Sequence, residues 1–241
     1  MFQGADFRVL GLLALFLVAG LILRSGVGHR APKALVPATA LGEQRFLLNN
    51  DGFTVVYDTN VKSPVCVRYT LLPGRSKKPD RTAGTVFPDN RFAGNLQPKN
   101  ADGLILMPLV PALALSQIYG EDIRARCYLA TSMALRSDSK LAILWENTWR
   151  VESELAAATS GRVEIAAGPV FSDPAPTTND GTSIPYAFFK IISSYATGET
   201  RAFIFPQAPV SDSLSDYLVS IEKIEMVTGI DFSEFKQPKS E

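Results

Sequence analysis

Histidine is the residue type whose placement most restricts the chemistry of this chain. The sequence has 241 residues and one histidine, His29, close to the N-terminus. Residues 41–236 therefore offer no imidazole as a general base near neutral pH or as a metal ligand. Asp102, Glu152 and Glu154 remain as candidate carboxylates for a base or a cation site. A lone loop aspartate is more often a turn residue, and the two glutamates are typical of a solvated helix face.

Two cysteines and two tryptophans are the next candidates for residues with a chemical or binding role. Cys66 and Cys127 are too few for a disulfide framework or a four-cysteine zinc site. Both lie in apolar runs, so we expect buried free thiols, and a single disulfide is the alternative. Trp145 and Trp149 are four residues apart and share one helix face, which favours core or interface packing over stacking on nucleic-acid bases.

A cluster of basic residues offers the best local case for a phosphate contact. It consists of Arg75, Lys77, Lys78 and Arg81. The segment around it is rich in Gly, Pro and Asp, which favours a solvated loop, and nucleic-acid binding is the alternative. The chain as a whole has 24 basic and 24 acidic residues, and residues 41–236 have 19 basic and 22 acidic. A free nucleic-acid-binding protein usually has a basic excess. Because this chain has no such excess, we do not expect it to bind nucleic acid.

The N-terminal part is typical of a membrane anchor. Residues 9–23 carry no charge, and flanking residues bring the stretch close to the roughly 17–25 residues that a span needs. A cleaved signal peptide is less favoured because no Ala-x-Ala site follows, and a buried core helix is a third interpretation. In chain order, we expect a leader at 1–8, a transmembrane anchor at 9–25, a linker at 26–40, a folded domain at 41–236 and a tail at 237–241. The side of the membrane stays open.

The elements that must position the candidate residues mix strands and helices without strict alternation. Residue patterns predict strands at 45–48, 53–57, 65–72, 126–129, 163–167, 186–193 and 201–205, and helices at 111–119, 140–158 and 221–228. Residues 49–52 predict a hairpin turn, and residues 73–103 predict a loop. The expected class is α+β, with a mixed, largely antiparallel sheet and one N-terminal transmembrane helix.

Several strings, in order, resemble the DNA/RNA non-specific endonuclease family, in particular its endonuclease G-like members. They are residues 55–58, 87–89, 116–117, 127–129, 168–171, 188–190, 205–210 and 220–229. The resemblance covers about residues 41–236 and implies a ββα-metal nuclease fold. Family members cleave phosphodiesters with one divalent cation and an Asp-Arg-Gly-His motif, in which the histidine activates water and the arginine stabilises the phosphate.

The family motif is incomplete at the matching positions. Asp102 is retained, but Gly103 stands in place of the arginine and Ile105 in place of the histidine. Isoleucine has no lone pair and cannot take a proton from water. On the following helix, Trp145 falls at the metal-binding asparagine and Ser153 at a family glutamate. The resemblance therefore implies a nuclease fold without catalysis and without a cofactor.

We expect a catalytically inactive, membrane-anchored domain that serves as a structural or interaction subunit. The resemblance implies a single-pass protein of the mitochondrial inner membrane with other protein subunits as partners, nucleic acid an unlikely partner and a homodimer possible. One alternative is a metal-dependent nuclease with a rearranged site, built from Asp102, a helix glutamate and Mg²⁺. A second is a nucleic-acid-binding module that does not cleave and uses the basic loop.

Overall fold

The computed structural model describes residues 36–37, 44–50, 52–72, 85–87, 89, 103–111, 114–115, 127–129, 133–159 and 161–236. All of them lie in the unit Ala34–Glu241. The expected α+β class with a mostly antiparallel sheet is confirmed. Among the helices described here, none is long and apolar enough to cross a bilayer. The predicted anchor, residues 9–25, lies outside the described residues.

The chain forms twelve strands and two helices over the described ranges. The strands are β1 (Val36–Pro37), β2 (Arg45–Asn50), β3 (Phe53–Asp58), β4 (Ser63–Leu71), β5 (Thr85–Phe87), β6 (Ile105–Pro108), β7 (Cys127–Leu129), β8 (Met133–Arg136), β9 (Val163–Val170), β10 (Ala187–Ser194), β11 (Thr200–Pro206) and β12 (Leu218–Val219). The helices are α1 (Ser139–Thr159) and α2 (Ile221–Thr228). Short 3₁₀ turns cover Leu214–Tyr217 and Ser233–Phe235.

Eight strands form one antiparallel sheet in the order β1-β2-β3-β4-β9-β10-β11-β12. The predicted hairpin is confirmed as β2 and β3, with Asn50 opposite Phe53. Two small sheets accompany the large one: β5 pairs with β7 in parallel, and β6 pairs with β8 antiparallel. The β6–β8 pair is the one that carries the position matched to the catalytic histidine.

The large sheet is buried on both faces. Side chains alternate along β10, so that Phe188 and Ile192 join the apolar cluster on the α1 side, while Phe189 and Ile191 join the cluster on the opposite face. A strand buried on both faces has few polar positions, which explains the near-continuous apolar run of β10. Lys190 is the charged exception within it and is fully buried.

Helix α1 confirms the prediction over residues 140–158. Its apolar residues recur every three to four positions and bury one face against the sheet, including Leu141, Leu144 and Leu155. The backbone N–H of Lys140 donates to Asp138 Oδ1 at 2.6 Å, so an aspartate caps the first turn. Of the two residues that the family resemblance matches on this helix, Trp145 lies in the packed face and Ser153 is half-buried.

The strands that were not predicted are all short: β1, β5, β6, β8 and β12. Strand β5 lies inside the segment predicted as a loop, so that prediction is wrong for its three residues. Strand β8 has the sequence Met-Ala-Leu-Arg, and these are helix-forming residues that give no strand signal. Its pairing with β6 overrides that local preference, because cross-strand contacts and burial decide strand formation more than propensity does.

Candidate active site

Ile105, the residue at the position matched to the catalytic histidine, opens strand β6 and is 46% exposed. Its neighbour in the motif, Gly103, has a φ of +78°, and an added Cβ would have no atom within 4 Å. An arginine at that position would therefore meet backbone strain and not a steric clash. Asp102 lies outside the described residues. Of the four apolar residues 104–107, Leu104 and Met107 are buried, Leu106 is half-buried and Ile105 is exposed.

The strand opposite Ile105 supplies an arginine. Arg136 in β8 is the cross-strand partner of Ile105, and its Nη1 donates to the carbonyl oxygen of Asp138 at 2.7 Å. The guanidinium is thus turned toward the first turn of α1. Ile105 has no proton-transfer chemistry of its own, and a guanidinium donates hydrogen bonds but has no lone pair to accept a proton, so the pair cannot activate water.

Trp145 lies in the core, as predicted, at the position matched to the metal-binding asparagine. It is 1% exposed, and its Nε1 donates to the carbonyl oxygen of Pro108 at 3.2 Å. Its ring packs edge-on against Phe188 and Phe205, at centroid distances of 6.0 and 6.2 Å. An indole N–H is a donor without a lone pair, so Trp145 cannot ligate a cation. Its hydrogen bond instead joins α1 to β6.

Glu152 is fully buried, which makes the prediction of a solvated helix face wrong for this residue. Its Oε1 accepts from Lys190 Nζ at 2.8 Å, and the Tyr69 hydroxyl donates to the same carboxylate at 3.0 Å. Lys190 Nζ also donates to Thr148 Oγ1 at 2.8 Å. These four side chains are here called the buried quartet. The carboxylate points into the interior and is not offered to a cation at the surface.

The electrostatics of the buried quartet follow from its removal from water. Burial lowers the pKa of Lys190, and the neighbouring Glu152 carboxylate opposes that shift. Burial, together with the same carboxylate, raises the pKa of Tyr69 well above its usual value. Lys190 Nζ also lies 4.2 Å from the Trp145 ring centroid, where the π face favours a cation. The ion pair is thus held by two hydroxyls and an aromatic ring.

The other predicted site residues on α1 do not converge on a site. Ser153 is half-buried, and Glu154 is exposed as predicted, with its carboxylate 3.9 Å from Arg150. Throughout the described part of the chain, no three His, Cys, Asp or Glu side chains are grouped to hold a metal ion. Trp145, Ser153 and the inward-facing Glu152 do not fit the divalent cation that the family fold implies. The basic loop residues, Arg75, Lys77, Lys78 and Arg81, lie outside the described residues.

Sequence reasoning missed the buried quartet and a structural glutamine. The signal for the quartet was a lysine in the otherwise apolar β10, because a charge in a buried strand needs a partner. Gln207 follows β11, and its Nε2 donates to the carbonyl oxygens of Leu135 and Pro185, at 3.1 and 2.9 Å. No sequence pattern pointed to that bridge. Cys66 is a buried free thiol, as predicted, whereas the Cys127 side chain is not described.

Comparisons with known proteins agree with this architecture. The model of the DNA/RNA non-specific endonuclease family matches residues 145–238. The fold is similar to that of a chain in the crystal structure of the EndoG/EndoGI complex, which concerns the mechanism of EndoG inhibition. The match has 18% sequence identity and a TM-score of 0.62, and covers 79% of this chain and 86% of that chain. The curated proteins give no match.

Proposed function

We propose that this chain, of which residues 145–238 match the model of the DNA/RNA non-specific endonuclease family, belongs to that family. The proposal is that it keeps the family fold, lacks hydrolytic activity and acts as a structural or interaction subunit. A hydrophobic anchor, residues 9–25, holds it in a membrane. The observation that carries the proposal is the absence of histidine after His29, with Ile105 at the matched position.

The environment of α1 supports the proposal independently of the histidine. Trp145 is engaged in the core, and Glu152 is tied to Lys190 inside the molecule. Breaking a buried ion pair by removing one partner costs about 3–5 kcal/mol, so Glu152 is not free to swing outward as a ligand. A rearranged metal site using Asp102 and this glutamate is therefore the weaker candidate.

The proposed location follows from two sequence features. The uncharged run within residues 9–25 supports an anchored protein, and the resemblance to endonuclease G supports the mitochondrial inner membrane. Alkaline extraction of isolated mitochondria tests both. The full chain stays in the membrane pellet, whereas a variant with Leu15→Arg and Leu17→Arg loses membrane retention. Recovery of the unmodified chain in the supernatant would contradict the anchor.

A cleavage assay tests the loss of catalysis. The full chain, purified in mild detergent, is incubated with plasmid DNA and with RNA in the presence of Mg²⁺ or Mn²⁺. We expect no cleavage above that of an Asp102→Ala variant prepared identically, which reports contaminating nuclease. Metal-dependent cleavage that Asp102→Ala abolishes would instead establish the rearranged nuclease.

A further inference from the structure

We infer that residues 229–236, here called the aromatic strap, form a displaceable cover that opens as one unit from the sheet face opposite α1 while the sheet stays folded. The strap follows α2 and places three apolar side chains in the core cluster on that face, those of Ile230, Phe232 and Phe235. This inference rests on the contacts of the strap. It goes beyond the proposed function and does not depend on it.

The sheet surface under the aromatic strap is apolar and includes a thiol. The ring centroids of Phe232 and of Phe189 in β10 lie 5.4 Å apart. Cys66 in β4 belongs to the same cluster as both rings and is 2% exposed. Accessible apolar surface of this kind marks contact sites for other proteins. Opening of the strap therefore converts a covered face into one that a partner can contact.

Arg68 in β4 attaches the strap to the sheet and connects it with Cys66. Its guanidinium carbon lies 5.7 Å from the ring centroid of Phe232 and 5.8 Å from that of Phe235, and Nη1 is paired with the Glu234 carboxylate. Cys66 lies two positions earlier on β4 and faces the same side of the sheet, and its thiol is hydrogen-bonded to the Arg68 side chain. Arg68 and Glu234 are 42% and 33% exposed, so water competes for the ion pair and the attachment is weak.

The strap is attached to the sheet through side chains. In the described part of the chain, no backbone–backbone hydrogen bond joins it to a strand, whereas β4 and β10 beneath it are paired with strands on both sides. The hydroxyl of Thr200 in β11 donates to the carbonyl oxygen of Phe235 at 3.2 Å. Within the strap, the N–H of Phe235 donates to the carbonyl oxygen of Phe232, and their rings pack edge-on at 6.2 Å. A segment held together in this way opens as one unit, at a lower free energy than the sheet unfolds.

Gly229 is the hinge at which the strap turns away from α2. It has a φ of +66°, and a Cβ at this position would have no atom within 4 Å, so the space around the hinge is open. Beyond the hinge, the Glu225 carboxylate accepts from the backbone N–H of Phe232 at 2.9 Å and from Lys236 Nζ at 2.6 Å. The side chains of Glu225 and Lys236 are 22% and 31% exposed, so water can replace these bonds when the strap opens.

Labelling of Cys66 in the folded protein tests this inference. The full chain in mild detergent is treated with N-ethylmaleimide at constant pH, in urea concentrations below the unfolding transition, and peptide mass spectrometry separates Cys66 from Cys127. Global unfolding is measured in the same solutions by circular dichroism. We expect Cys66 to react at least about tenfold faster than global unfolding allows, with less than about half of its urea dependence, because opening exposes less surface than unfolding does.

Two variants locate the opening. Phe235→Leu weakens the contacts of the strap, so labelling of Cys66 accelerates about tenfold. Ile192→Val is the matched control, because Ile192 is buried on the α1 side of the sheet, which stays folded when the strap opens. It leaves the labelling rate unchanged, whereas labelling through global unfolding would accelerate about two- to tenfold.

Three results would overturn the inference: labelling of Cys66 with the full urea dependence of global unfolding, labelling no faster than global unfolding, or equal acceleration by Ile192→Val and Phe235→Leu. The unmodified chain and Ile192→Val decide the question even if Phe235→Leu fails to fold. The cleavage assay stays separate, because a chain that cleaves nucleic acid loses the proposed function and keeps the strap.

Discussion

Lys190 has the most constrained environment of any charged side chain described here. The ammonium group and the Glu152 carboxylate are both 0% exposed, and their 2.8 Å contact crosses from β10 to α1. Moving either charge out of water is costly, and the remaining hydrogen bonds of the buried quartet offset that cost. The pair therefore fixes the position of α1 on the sheet at one point along the helix.

The first prediction concerns this pair. Lys190→Met leaves the Glu152 carboxylate buried without its cation, so we expect unfolding free energy to fall by about 3–5 kcal/mol. The double variant Lys190→Met/Glu152→Leu recovers most of that loss because no charge is left buried. Urea unfolding followed by circular dichroism measures both. Arg201→Met, which removes a half-exposed partner of Glu199, serves as the surface control and costs less than about 1 kcal/mol. Equal losses at the two sites would contradict the prediction.

The second prediction concerns Cys66. Burial raises the pKa of its thiol to about 11, whereas an exposed thiol ionises near pH 9. Between these values the unfolded chain has lost the proton that the folded chain keeps, so stability falls as pH rises, by at most about 1.4 kcal/mol per pH unit. Unfolding free energy is measured from pH 8 to 11 under reducing conditions. Cys66→Ala removes this contribution and gives a shallower slope, and parallel slopes would contradict the buried-thiol assignment.

At the scale of elements, the contact between β4 and β9 leaves no room at Gly168. A Cβ there would collide with the backbone carbonyl of Val65 and lie 2.8 Å from the Phe189 ring. The obstacle is backbone at the centre of the sheet, which cannot move aside as a flexible side chain can. Strand β9 can therefore lie beside β4 only with glycine at this position.

The third prediction compares two glycine substitutions. Gly103→Ala costs about 1–2 kcal/mol of unfolding free energy, because its left-handed backbone is strained by any Cβ although the space is open. Gly168→Ala costs more, because the strands must separate or the residue must shift. Thermal unfolding of both variants measures the order. A Gly168→Ala variant as stable as Gly103→Ala would show that the strand pair adapts.

Sequence patterns were sufficient to predict the long helices and strands, but they did not predict the contacts that join these elements. Helix α1 and the β2–β3 hairpin follow from spacing and turn residues, which are local signals. Strand β8 and the Gln207 bridge depend on partners distant in sequence and carry no local signal. Candidate site residues could be named from the sequence only because the family resemblance supplied a register for the motif. Even so, Glu152 was placed on the wrong side of α1, since a glutamate carries no sign of burial until its lysine partner is located.

For the whole molecule, the fourth prediction tests the proposed loss of catalysis. Gly103→Arg, Ile105→His and Trp145→Asn together restore the family residues at three positions. We expect no cleavage of plasmid DNA, because the carboxylate of Glu152 on the same helix is held inside the molecule by Lys190 and is not available to complete a metal site. Trp145→Asn alone removes a buried aromatic side chain, so a loss of about 3–5 kcal/mol accompanies it. Ile105→His is the tolerated control, because that position is exposed. Recovery of metal-dependent cleavage by the triple variant would contradict this prediction.

The placement of β4 beside β9 governs when the domain can be completed. Val67 pairs with Ala167, so the two neighbouring strands are about a hundred residues apart along the chain. During synthesis, strands β2 to β4 leave the ribosome long before β9 has been made. The edge of β4 that pairs with β9 therefore stays unpaired until most of the domain has been synthesised. Strands this far apart in the sequence pair slowly, because bringing them together closes a long loop and costs conformational entropy. The unpaired edge of β4 is therefore the segment that a chaperone would have to shield during this interval.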